Sequence, residues 1–312
     1  MSIRAMQEEI KNQIEDLPRF AALLRKSQGQ IIKPSKLAFT GSGDSYAAAL
    51  FAQELSEGRA LAIDPYELSR AIHRVRGKSL VIISVSGNTR TNLELAKRAK
   101  RVARERIAIT ANESSPLAKE CDRVILLDYR RSGILTSGTA SFTCALLACA
   151  ATLRKVPRFI ELRATVEESL EWAGTIRLSE KGAVVFIGSG VNYSMGLYGA
   201  AKINEVMGMR AEADYPEQFG HAHLFAVDKE HDVILCINLA QDKTWKLARI
   251  LRRSGFQAKP LEVRGPDAVV NCVKIALHLQ QLALLQAQRK RMKECAFKAD
   301  KERLGLSSEL IY

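Results

Sequence analysis

Several features that mark particular classes of protein are scarce or missing in this chain of 312 residues. It has only 8 prolines and no low-complexity tract, which argues against an extended or disordered chain. Its 6 cysteines are scattered, without a C-x-x-C pair or a His/Cys cluster, so we expect reduced core thiols and no metal. No apolar run reaches the length of a membrane span, and the first residues are too polar for a secretory signal. We expect a soluble, cytoplasmic protein with no membrane partner and no cofactor.

Aromatic residues are also few, at 6% of the chain, although the charge balance is strongly basic. Lys and Arg number 47 against 34 acidic residues, a net charge of +13 that favours anionic partners. Much of the excess lies in two runs, Lys97–Arg106 and Arg289–Lys293, and neither is interleaved with aromatic side chains that stack on bases. We interpret both runs as solvated helix faces and expect no nucleic-acid partner.

One short segment occurs twice. Residues 37–46 (LAFTGSGDSY) return as residues 184–193 (VVFIGSGVNY), aligned without gaps. In each copy an apolar run of strand length leads into Gly-Ser-Gly, and a helix-period pattern follows. Such a turn presents backbone N–H groups at a helix N-terminus, where an anion can bind. A dinucleotide site is disfavoured, because Tyr46 and Tyr193 stand at the third glycine position of G-x-G-x-x-G.

Strand-like and helix-like segments alternate through both halves of the chain. The opening helix, from about Ala5 to Ser27, is predicted to break or turn near Pro18. We predict strands at Lys36–Thr40, Leu80–Ser84, Ile107–Thr110, Arg123–Leu127, Ala183–Ile187, Asp232–Asn238 and Ala258–Val263. We predict helices at Ser45–Glu57, Asn92–Ala103, Thr139–Arg154, Val166–Gly174, Asn192–Met207, Lys243–Ser254 and Val269–Arg291. This alternation predicts an α/β fold with parallel sheets covered on both faces, and ligands at the carboxyl ends of the strands.

The residues after the second predicted strand, 84–89 (SVSGNT), carry the strongest chemical motif. Hydroxyls at Ser84, Ser86 and Thr89, with a flexible Gly87 and a following helix, put several donors around one phosphate group. The loop has no lysine and lacks the G-x-x-x-x-G-K-S/T pattern, which argues against a nucleoside triphosphatase. The same residue types form ordinary turns and helix caps. The density of hydroxyls, with a similar loop at Gly41–Ser45, favours the phosphate interpretation.

The repeated Gly-Ser-Gly units and the Ser-x-Ser-Gly-x-Thr loop resemble the sugar isomerase (SIS) domain, and the similarity covers nearly the whole chain. The sequence is similar to double-SIS phosphosugar isomerases, above all the isomerase half of glucosamine-6-phosphate synthase and its deaminase relatives. It also resembles archaeal-type bifunctional phosphoglucose/phosphomannose isomerases. The resemblance implies two tandem SIS domains, each a flavodoxin-like three-layer sandwich. We expect a helical segment at 1–30, the phosphate-binding domain at 31–155 and the catalytic domain at 156–312.

The resemblance also implies roles for residues of the first half. The phosphate pocket falls on matching motif positions: Ser45, Ser84, Ser86 and Thr89. The sugar site is assigned to Gly43, Asp44, Ser137 and Thr139. Asp44 departs from the small hydroxyl residue that the synthase has there, which changes the contacts expected with the sugar.

The second half differs from the first at the corresponding loop. Residues 236–242 (CINLAQD) contain no serine or threonine, which indicates that this half has lost its phosphate site. It carries instead residues 202–206 (KINEV) and 215–223 (YPEQFGHAH), which resemble the family's paired catalytic segments. Glu205 and His221 stand on the matching positions. The family's His-Gly-Pro reads His221-Ala222-His223 here.

These residue types suit aldose–ketose isomerisation, which moves a proton between C1 and C2 through an enediol or enolamine. Glu205 suits the base if partial burial raises its pKa toward neutrality, and His221 suits the proton transfers of ring opening. The alternatives are a solvated Lys202/Glu205 pair three residues apart on a helix, and packed or metal-binding histidines at His221 and His223.

Three functions remain open from the sequence. One is a glucosamine-6-phosphate isomerase or deaminase, the second a phosphoglucose/phosphomannose isomerase, and the third a phosphosugar-sensing module without turnover. The family's tail lysine is replaced by Leu306, so Lys298 or Lys301 is the candidate substitute. The resemblance further implies a homodimer in which His221 reaches the site of the partner subunit.

Overall fold

The computed structural model of the protein describes residues 1–27, 32–158, 160–239 and 244–311. The chain forms two compact units. The first-sheet unit consists of Glu15–Arg130, Ala140–Ile160 and Glu302–Tyr312, and the second-sheet unit of Met1–Ile14, Arg131–Thr139 and Glu161–Lys301. The predicted domain boundaries stay a prediction, and the boundary between residues 30 and 31 lies outside the described residues.

The first-sheet unit contains a parallel sheet of five strands in the order β2-β1-β3-β4-β5. Its strands are β1 Leu37–Gly41, β2 Leu61–Ala62, β3 Ser79–Ile83, β4 Glu105–Thr110 and β5 Arg123–Leu126. Every residue of β1 and β3 is buried, as expected for central strands covered on both faces. The helices of this unit are α2 Asp44–Leu55, α3 Pro65–Arg70, α4 Arg90–Ala99, α5 Pro116–Glu120, α6 Ala140–Thr152 and α13 Lys301–Ile311.

The second-sheet unit contains a parallel sheet of four strands in the order β7-β6-β8-β9. Its strands are β6 Val184–Ile187, β7 Ala211–Asp214, β8 Val233–Leu239 and β9 Gln257–Val263. Its helices are α7 Arg163–Gly174, α8 Val191–Lys202, α9 Pro216–His221, α10 Thr244–Arg253, α11 Ala268–Arg289 and α12 Ala296–Ala299. The order repeats that of β2-β1-β3-β4, so the two sheets agree strand for strand over four strands.

The strand registers define equivalent positions in the two sheets. Leu37 of β1 pairs with Ser79 of β3, and Val184 of β6 pairs with Val233 of β8. Ser84 lies five residues after Ser79, and Asn238 lies five residues after Val233. Asn238 is therefore the second-sheet equivalent of Ser84. The remainder of the corresponding second-half loop, residues 240–242, lies outside the described residues.

The prediction of parallel sheets flanked by helices is confirmed, whereas several local predictions were wrong. The break predicted near Pro18 does not occur, because the opening helix, α1 Ser2–Lys26, continues through Pro18, and a turn of the helix there stays a prediction. The missing N–H of proline removes one backbone hydrogen bond, but the buried Leu17, Phe20 and Ala21 keep that part of the helix packed. The short elements β2, α3, β7 and α13 were not predicted.

Helix α11 satisfies the length and composition expected of a membrane span, so the sequence-based statement about apolar runs was too strong. Of its most apolar 18-residue window, 78% is buried inside the structure. Helix α11 is therefore packed as the core helix of a globular fold.

Candidate active site

The first-sheet unit brings the Gly41–Ser45 turn and the loop 84–89 to the same edge of its sheet. Gly41 at the end of β1 pairs with Ile83 at the end of β3. A Cβ added at Gly41 would lie 2.7 Å from the Ser45 Cβ and 2.9 Å from the Ile83 carbonyl oxygen. Glycine is thus required for α2 to begin this close to β3. Ser45, which is buried, consequently lies at the edge from which the Ser84 loop starts.

The loop 84–89, called the hydroxyl loop below, is held by its own hydroxyl groups. The Ser84 hydroxyl accepts a hydrogen bond from the Gly87 N–H at 3.2 Å and lies 3.4 Å from the Thr89 hydroxyl. The Ser86 hydroxyl accepts from the Asn88 N–H at 3.3 Å. The three predicted phosphate ligands of this loop are therefore gathered in one turn, with hydroxyl groups that an anion can recruit as donors.

Gly87 fixes how the hydroxyl loop packs. Its φ is +68°, in the left-handed region, and a Cβ there would collide with the side chain of Ser115. The Gly87 carbonyl accepts a hydrogen bond from the Leu117 N–H at 3.1 Å. The loop is thus anchored on α5 while its hydroxyl groups lie at the start of α4.

The two remaining first-half candidates lie at the start of α2. Gly43 occupies the N-cap position with a φ of +59°, and Asp44 is the first residue of the helix. The helix dipole stabilises a carboxylate there. This placement favours an aspartate at position 44.

The second-sheet unit contains a partly buried ion pair at the predicted base. The Lys202 ammonium lies 2.8 Å from Glu205 Oε2, and the Ser137 hydroxyl donates to the same oxygen at 2.6 Å. Lys202 also donates to the Ser137 Oγ at 2.7 Å. Lys202 is fully buried, whereas 38% of the Glu205 side chain is exposed. The Lys202/Glu205 contact is therefore not the solvated surface pair that the sequence left open.

The pKa of Glu205 departs from the sequence-based expectation. Burial by itself raises the pKa of this carboxyl, but the Lys202 charge and the hydrogen bonds from Lys202 and Ser137 outweigh burial and hold the pKa below the usual range. The prediction of a pKa raised toward neutrality was wrong, because it took no account of the buried lysine. Glu205 is ionised at neutral pH.

Glu205 lies in a short π-helical turn that follows α8. Helix α8 ends at Lys202, and residues Ile203–Met207 continue as a π-helical turn that ends at Gly208, where φ is +65°. The sequence predicted one continuous helix, Asn192–Met207. π-helical turns within α-helices are rare and are frequent at functional sites. Glu205 is carried by this turn.

The loop that supplies Ser137 is anchored on both sides within the second-sheet unit. The Thr136 hydroxyl donates to the Ser2 carbonyl at 2.9 Å, and the Thr139 hydroxyl donates to the buried Glu9 carboxylate at 2.9 Å. The Tyr198 hydroxyl donates to the Gly138 carbonyl at 2.8 Å. The Thr139 hydroxyl is thus engaged by Glu9, and its assignment to the sugar stays a prediction.

The two histidines differ in their surroundings. His221 ends α9 with 74% of its side chain exposed, and its Nε2 lies 3.2 Å from Glu217. His223 is 19% exposed and lies between two carboxylates, 2.9 Å from Glu212 and 3.4 Å from Asp214. Among the residues that the structure describes, no group of three His, Cys, Asp or Glu side chains is arranged to hold a metal ion. His221 is the accessible imidazole of the pair.

The two candidate tail lysines also differ. The Lys298 ammonium lies 3.3 Å from Glu294. Hydrogen bonds from Ser2 and from Lys298 lower the pKa of Glu294 to about 2. Lys301 is exposed at the start of α13.

The sequence indicated Lys202 only as a solvated partner of Glu205 and missed its buried place in the candidate site. A signal was present, because Met195 and Tyr198 precede Lys202 at helical spacing and all three are fully buried. The Lys202 ammonium also lies 5.1 Å from the centroid of the Tyr198 ring, within the range of a cation–π contact. A lysine on an apolar stripe has to be paired inside the protein.

The comparison with known families identifies the class of the first repeat. Residues 30–154 match the family model of the SIS domain. The match covers the first of the two repeated halves, which contains the hydroxyl loop and the Gly41–Ser45 turn.

The chain is similar in sequence to glutamine–fructose-6-phosphate aminotransferases (isomerizing). It is 29% identical to the protein of Neisseria meningitidis serogroup B over 62% of this chain and 36% of the relative. It is 25% identical to that of Zymomonas mobilis over 74% of this chain and 44% of the relative. The chain therefore spans less than half the length of these relatives.

Solved structures share the fold over almost the whole chain. Glucosamine-6-phosphate deaminase from Thermotoga maritima superposes with a TM-score of 0.76 at 22% identity, covering 92% of this chain and 95% of that one. The C-terminal domain of glucosamine-fructose-6-phosphate aminotransferase from Francisella tularensis has a TM-score of 0.74 at 21% identity, covering 93% and 97%. Tagatose-6-phosphate ketose/aldose isomerase from Escherichia coli has a TM-score of 0.69 at 17% identity, covering 92% of each chain.

Proposed function

We propose that the protein is a phosphosugar isomerase that acts on a hexose 6-phosphate, in the branch of glucosamine-6-phosphate isomerases and deaminases. One observation carries the proposal. The hydrogen bonds that Glu205 accepts from Lys202 and Ser137 both go to Oε2. Within the described part of the chain Oε1 has no such partner, so one oxygen is anchored and the other is available to take a proton.

This arrangement suits a base that moves a proton between two adjacent carbons. The ionised carboxylate accepts the C2 proton without first losing one of its own. Its lowered pKa keeps the carboxylate ionised and eases return of the proton to C1, although it also makes Glu205 a weaker base toward the C2 proton. Lys202 and Ser137 position the carboxylate and favour its charged form.

The remaining roles follow the sequence-based assignments. The hydroxyl loop and Ser45 bind the phosphate group, with the N-terminus of α4 adding its backbone N–H groups. His221 transfers protons during ring opening. Ser137 is engaged with Glu205, so its proposed role is to position the base. We also assign the second repeat to the SIS class, on the strength of its strand order and its Gly-Ser-Gly turn, with Asn238 in place of the phosphate-binding Ser84.

The similar proteins support a hexose 6-phosphate substrate. By name they act on fructose 6-phosphate, glucosamine 6-phosphate and tagatose 6-phosphate. Asn204, the residue before Glu205, pairs with the backbone of Ala211 through both ends of its amide, at 3.0 and 2.9 Å. These two hydrogen bonds tie the π-helical turn that carries Glu205 to β7.

A turnover screen by proton NMR in D₂O tests the proposal. Glucosamine 6-phosphate, glucose 6-phosphate, mannose 6-phosphate and fructose 6-phosphate are supplied separately, and free ammonia is measured in parallel. We expect conversion of glucosamine 6-phosphate with ammonia release and deuterium entering at C1 or C2. The Glu205→Gln variant should lose about 10² to 10⁴ in rate. The matched control is Glu180→Gln, at a carboxylate whose side chain is 81% exposed, and it should keep the native rate.

The outcomes separate the three functions. Conversion of glucose or mannose 6-phosphate without ammonia from glucosamine 6-phosphate would assign the phosphoglucose/phosphomannose branch. Binding without turnover of any of the four sugars would assign a sensing module. Equal rates in the native protein and a folded Glu205→Gln variant would remove Glu205 from the reaction.

A further inference from the structure

Asn92 is a buried amide to which the described residues offer no hydrogen-bond partner. Only 1% of the residue is exposed, and neither Oδ1 nor Nδ2 is hydrogen-bonded to any group of residues 1–27, 32–158, 160–239 or 244–311. Buried polar groups in proteins are almost always paired, and an unpaired one is costly. Asn92 also shares its helix face with the buried apolar residues Leu95, Ala96 and Ala99, a position that an apolar side chain would fill without this cost.

Asn92 lies in the first turn of the helix that follows the hydroxyl loop. Helix α4 starts at Arg90 with Thr89 as its N-cap, so Asn92 is the third helical residue. Side chains of a helix tilt toward its N-terminus, so helix geometry places the Asn92 amide on the side of the N-cap, where the loop with Ser84 and Thr89 ends.

The start of α4 is also uncapped. The Thr89 side chain makes no capping hydrogen bond, and the Ser84 hydroxyl is instead 3.4 Å from that of Thr89. A helix N-terminus without a side-chain cap carries unsatisfied N–H groups and a partial positive charge. The hydroxyl loop, the helix N-terminus and the unpaired Asn92 amide thus meet at one place.

We infer that Asn92 is a further ligand-binding residue of the phosphate site, with Nδ2 donating to an oxygen of a bound phosphate group. The inference rests on the proposed function for the identity of the ligand. An oxyanion accepts only from Nδ2, and Oδ1 is then left to accept from a hydroxyl of the loop. This role explains why the Asn92 amide is unpaired among the described residues, because the bound anion supplies the acceptor.

The test compares phosphate affinity with the stability of the ligand-free protein. Calorimetric titration of the full chain with inorganic phosphate, and separately with glucosamine 6-phosphate, gives Kd. For the isosteric, apolar Asn92→Leu we expect Kd to rise roughly ten- to hundredfold, while the Tm without ligand is unchanged or higher. For Asn92→Asp, which keeps an acceptor and adds a negative charge, the loss of affinity should be larger.

A matched control is available in the second sheet. Asn238 is also buried, at 5% exposure, and its Oδ1 likewise has no hydrogen-bond partner in the described part of the chain. Asn238→Leu should leave Kd for phosphate unchanged. A loss of affinity in both variants would overturn the inference, because it would reflect a general response to a buried substitution.

Two further results would overturn the inference. One is an unchanged Kd in folded Asn92→Leu and Asn92→Asp, and the other is the absence of phosphate and sugar-phosphate binding by the native protein. Failure of the proposed function is seen separately, because the titration needs no turnover. Native protein that binds phosphate through Asn92 but converts no hexose 6-phosphate would leave this inference standing and remove the isomerase.

Discussion

At the scale of single residues, the ionisation of Glu205 is decided by a neighbouring charge whose burial the sequence does not show. Burial alone would favour the neutral acid. The fully buried Lys202 reverses this preference, and Ser137 donates to the same carboxylate oxygen. The lysine is in turn stabilised by the carboxylate and by the Tyr198 ring. Each charge is thus stabilised inside the protein by the other.

Replacement of Lys202 by methionine tests the direction of the Glu205 pKa. The folded pKa lies below the unfolded value, so the pair stabilises the fold above about pH 4.3. This contribution is lost as the pH falls through the folded pKa. In Lys202→Met the lysine charge is absent, and burial raises the pKa of Glu205. The ionised carboxylate then destabilises the fold instead of stabilising it. We expect the free energy of unfolding at pH 7 to fall by about 1–3 kcal/mol, less than for a fully buried pair since Glu205 is partly exposed.

The measurement is urea denaturation of both proteins between pH 8 and pH 4, and the difference between them should shrink toward pH 4. Lys290→Met is the control, because Lys290 lies 3.0 Å from Glu180, whose side chain is 81% exposed. That variant should differ from the native protein by less than about 1 kcal/mol at every pH. An equal, pH-independent loss in both variants would contradict the assigned pKa direction.

At the scale of elements, two irregular segments carry the candidate chemistry. The hydroxyl loop follows β3, and the π-helical turn Ile203–Met207 follows α8. Both depend on glycine at a left-handed position, Gly87 in the loop and Gly208 after the turn. Regular elements position the two segments, and the irregular backbone presents the functional groups.

Gly87→Ala tests whether the conformation of the hydroxyl loop is required for phosphate binding. The new Cβ would meet the Ser115 side chain, and the left-handed φ adds strain. We expect a loss of at least about 2 kcal/mol in stability and no measurable phosphate binding by calorimetry in the folded fraction.

Gly77→Ala is the matched substitution. Gly77 has a φ of +67°, and no described group other than its chain neighbours lies within 4 Å of its added Cβ. The Gly77→Ala variant therefore measures backbone strain alone. It should lose about 1–2 kcal/mol and keep its phosphate affinity. If Gly87→Ala bound phosphate as well as Gly77→Ala does, the loop geometry would not matter for binding.

At the scale of the whole molecule, two sheets of one strand order carry different candidate groups. Both sheets share one strand order over four strands, yet the hydroxyl loop belongs to the first-sheet unit and the Lys202/Glu205 pair to the second-sheet unit. At the position of Ser84 the second sheet carries Asn238. We therefore propose that phosphate binding and proton transfer are divided between the two repeats.

The proposed homodimer is tested by mixing inactive variants. His221 is 74% exposed, so it is accessible to a second copy of the chain. Glu205→Gln mixed with His221→Ala should recover up to about a quarter of the native turnover if the histidine acts in the partner's site, since random mixing gives one intact site in each mixed dimer. Turnover is followed by the NMR assay, and light scattering after gel filtration gives the oligomeric state.

The control mixes Glu205→Gln with Lys202→Met. Glu205 and Lys202 pair within one chain, so no site in a mixed dimer regains both, and no rescue is expected. A monomer in solution, or no rescue between Glu205→Gln and His221→Ala, would assign a site built by each chain alone.

Most of the fold was predictable because it depends on local patterns. The buried central strands read as continuous apolar runs, and glycine followed the first strand of each repeat. The edge strands β2 and β7 were missed, since β2 has two residues and β7 is the partly exposed segment AEAD. Such strands form because a neighbouring strand offers backbone hydrogen bonds, which no local propensity reports.

By itself, the sequence determined which residue types stand at the carboxyl ends of the strands, because repeat, strand and turn signals lie within short windows. It therefore identified the hydroxyl loop and named Glu205. Only the tertiary structure decided that Glu205 is ionised and that Asn92 is buried without a hydrogen-bond partner among the described residues. Ser137 and Lys202 are 65 residues apart in the chain, and electrostatic stabilisation and hydrogen bonding depend on distance in space.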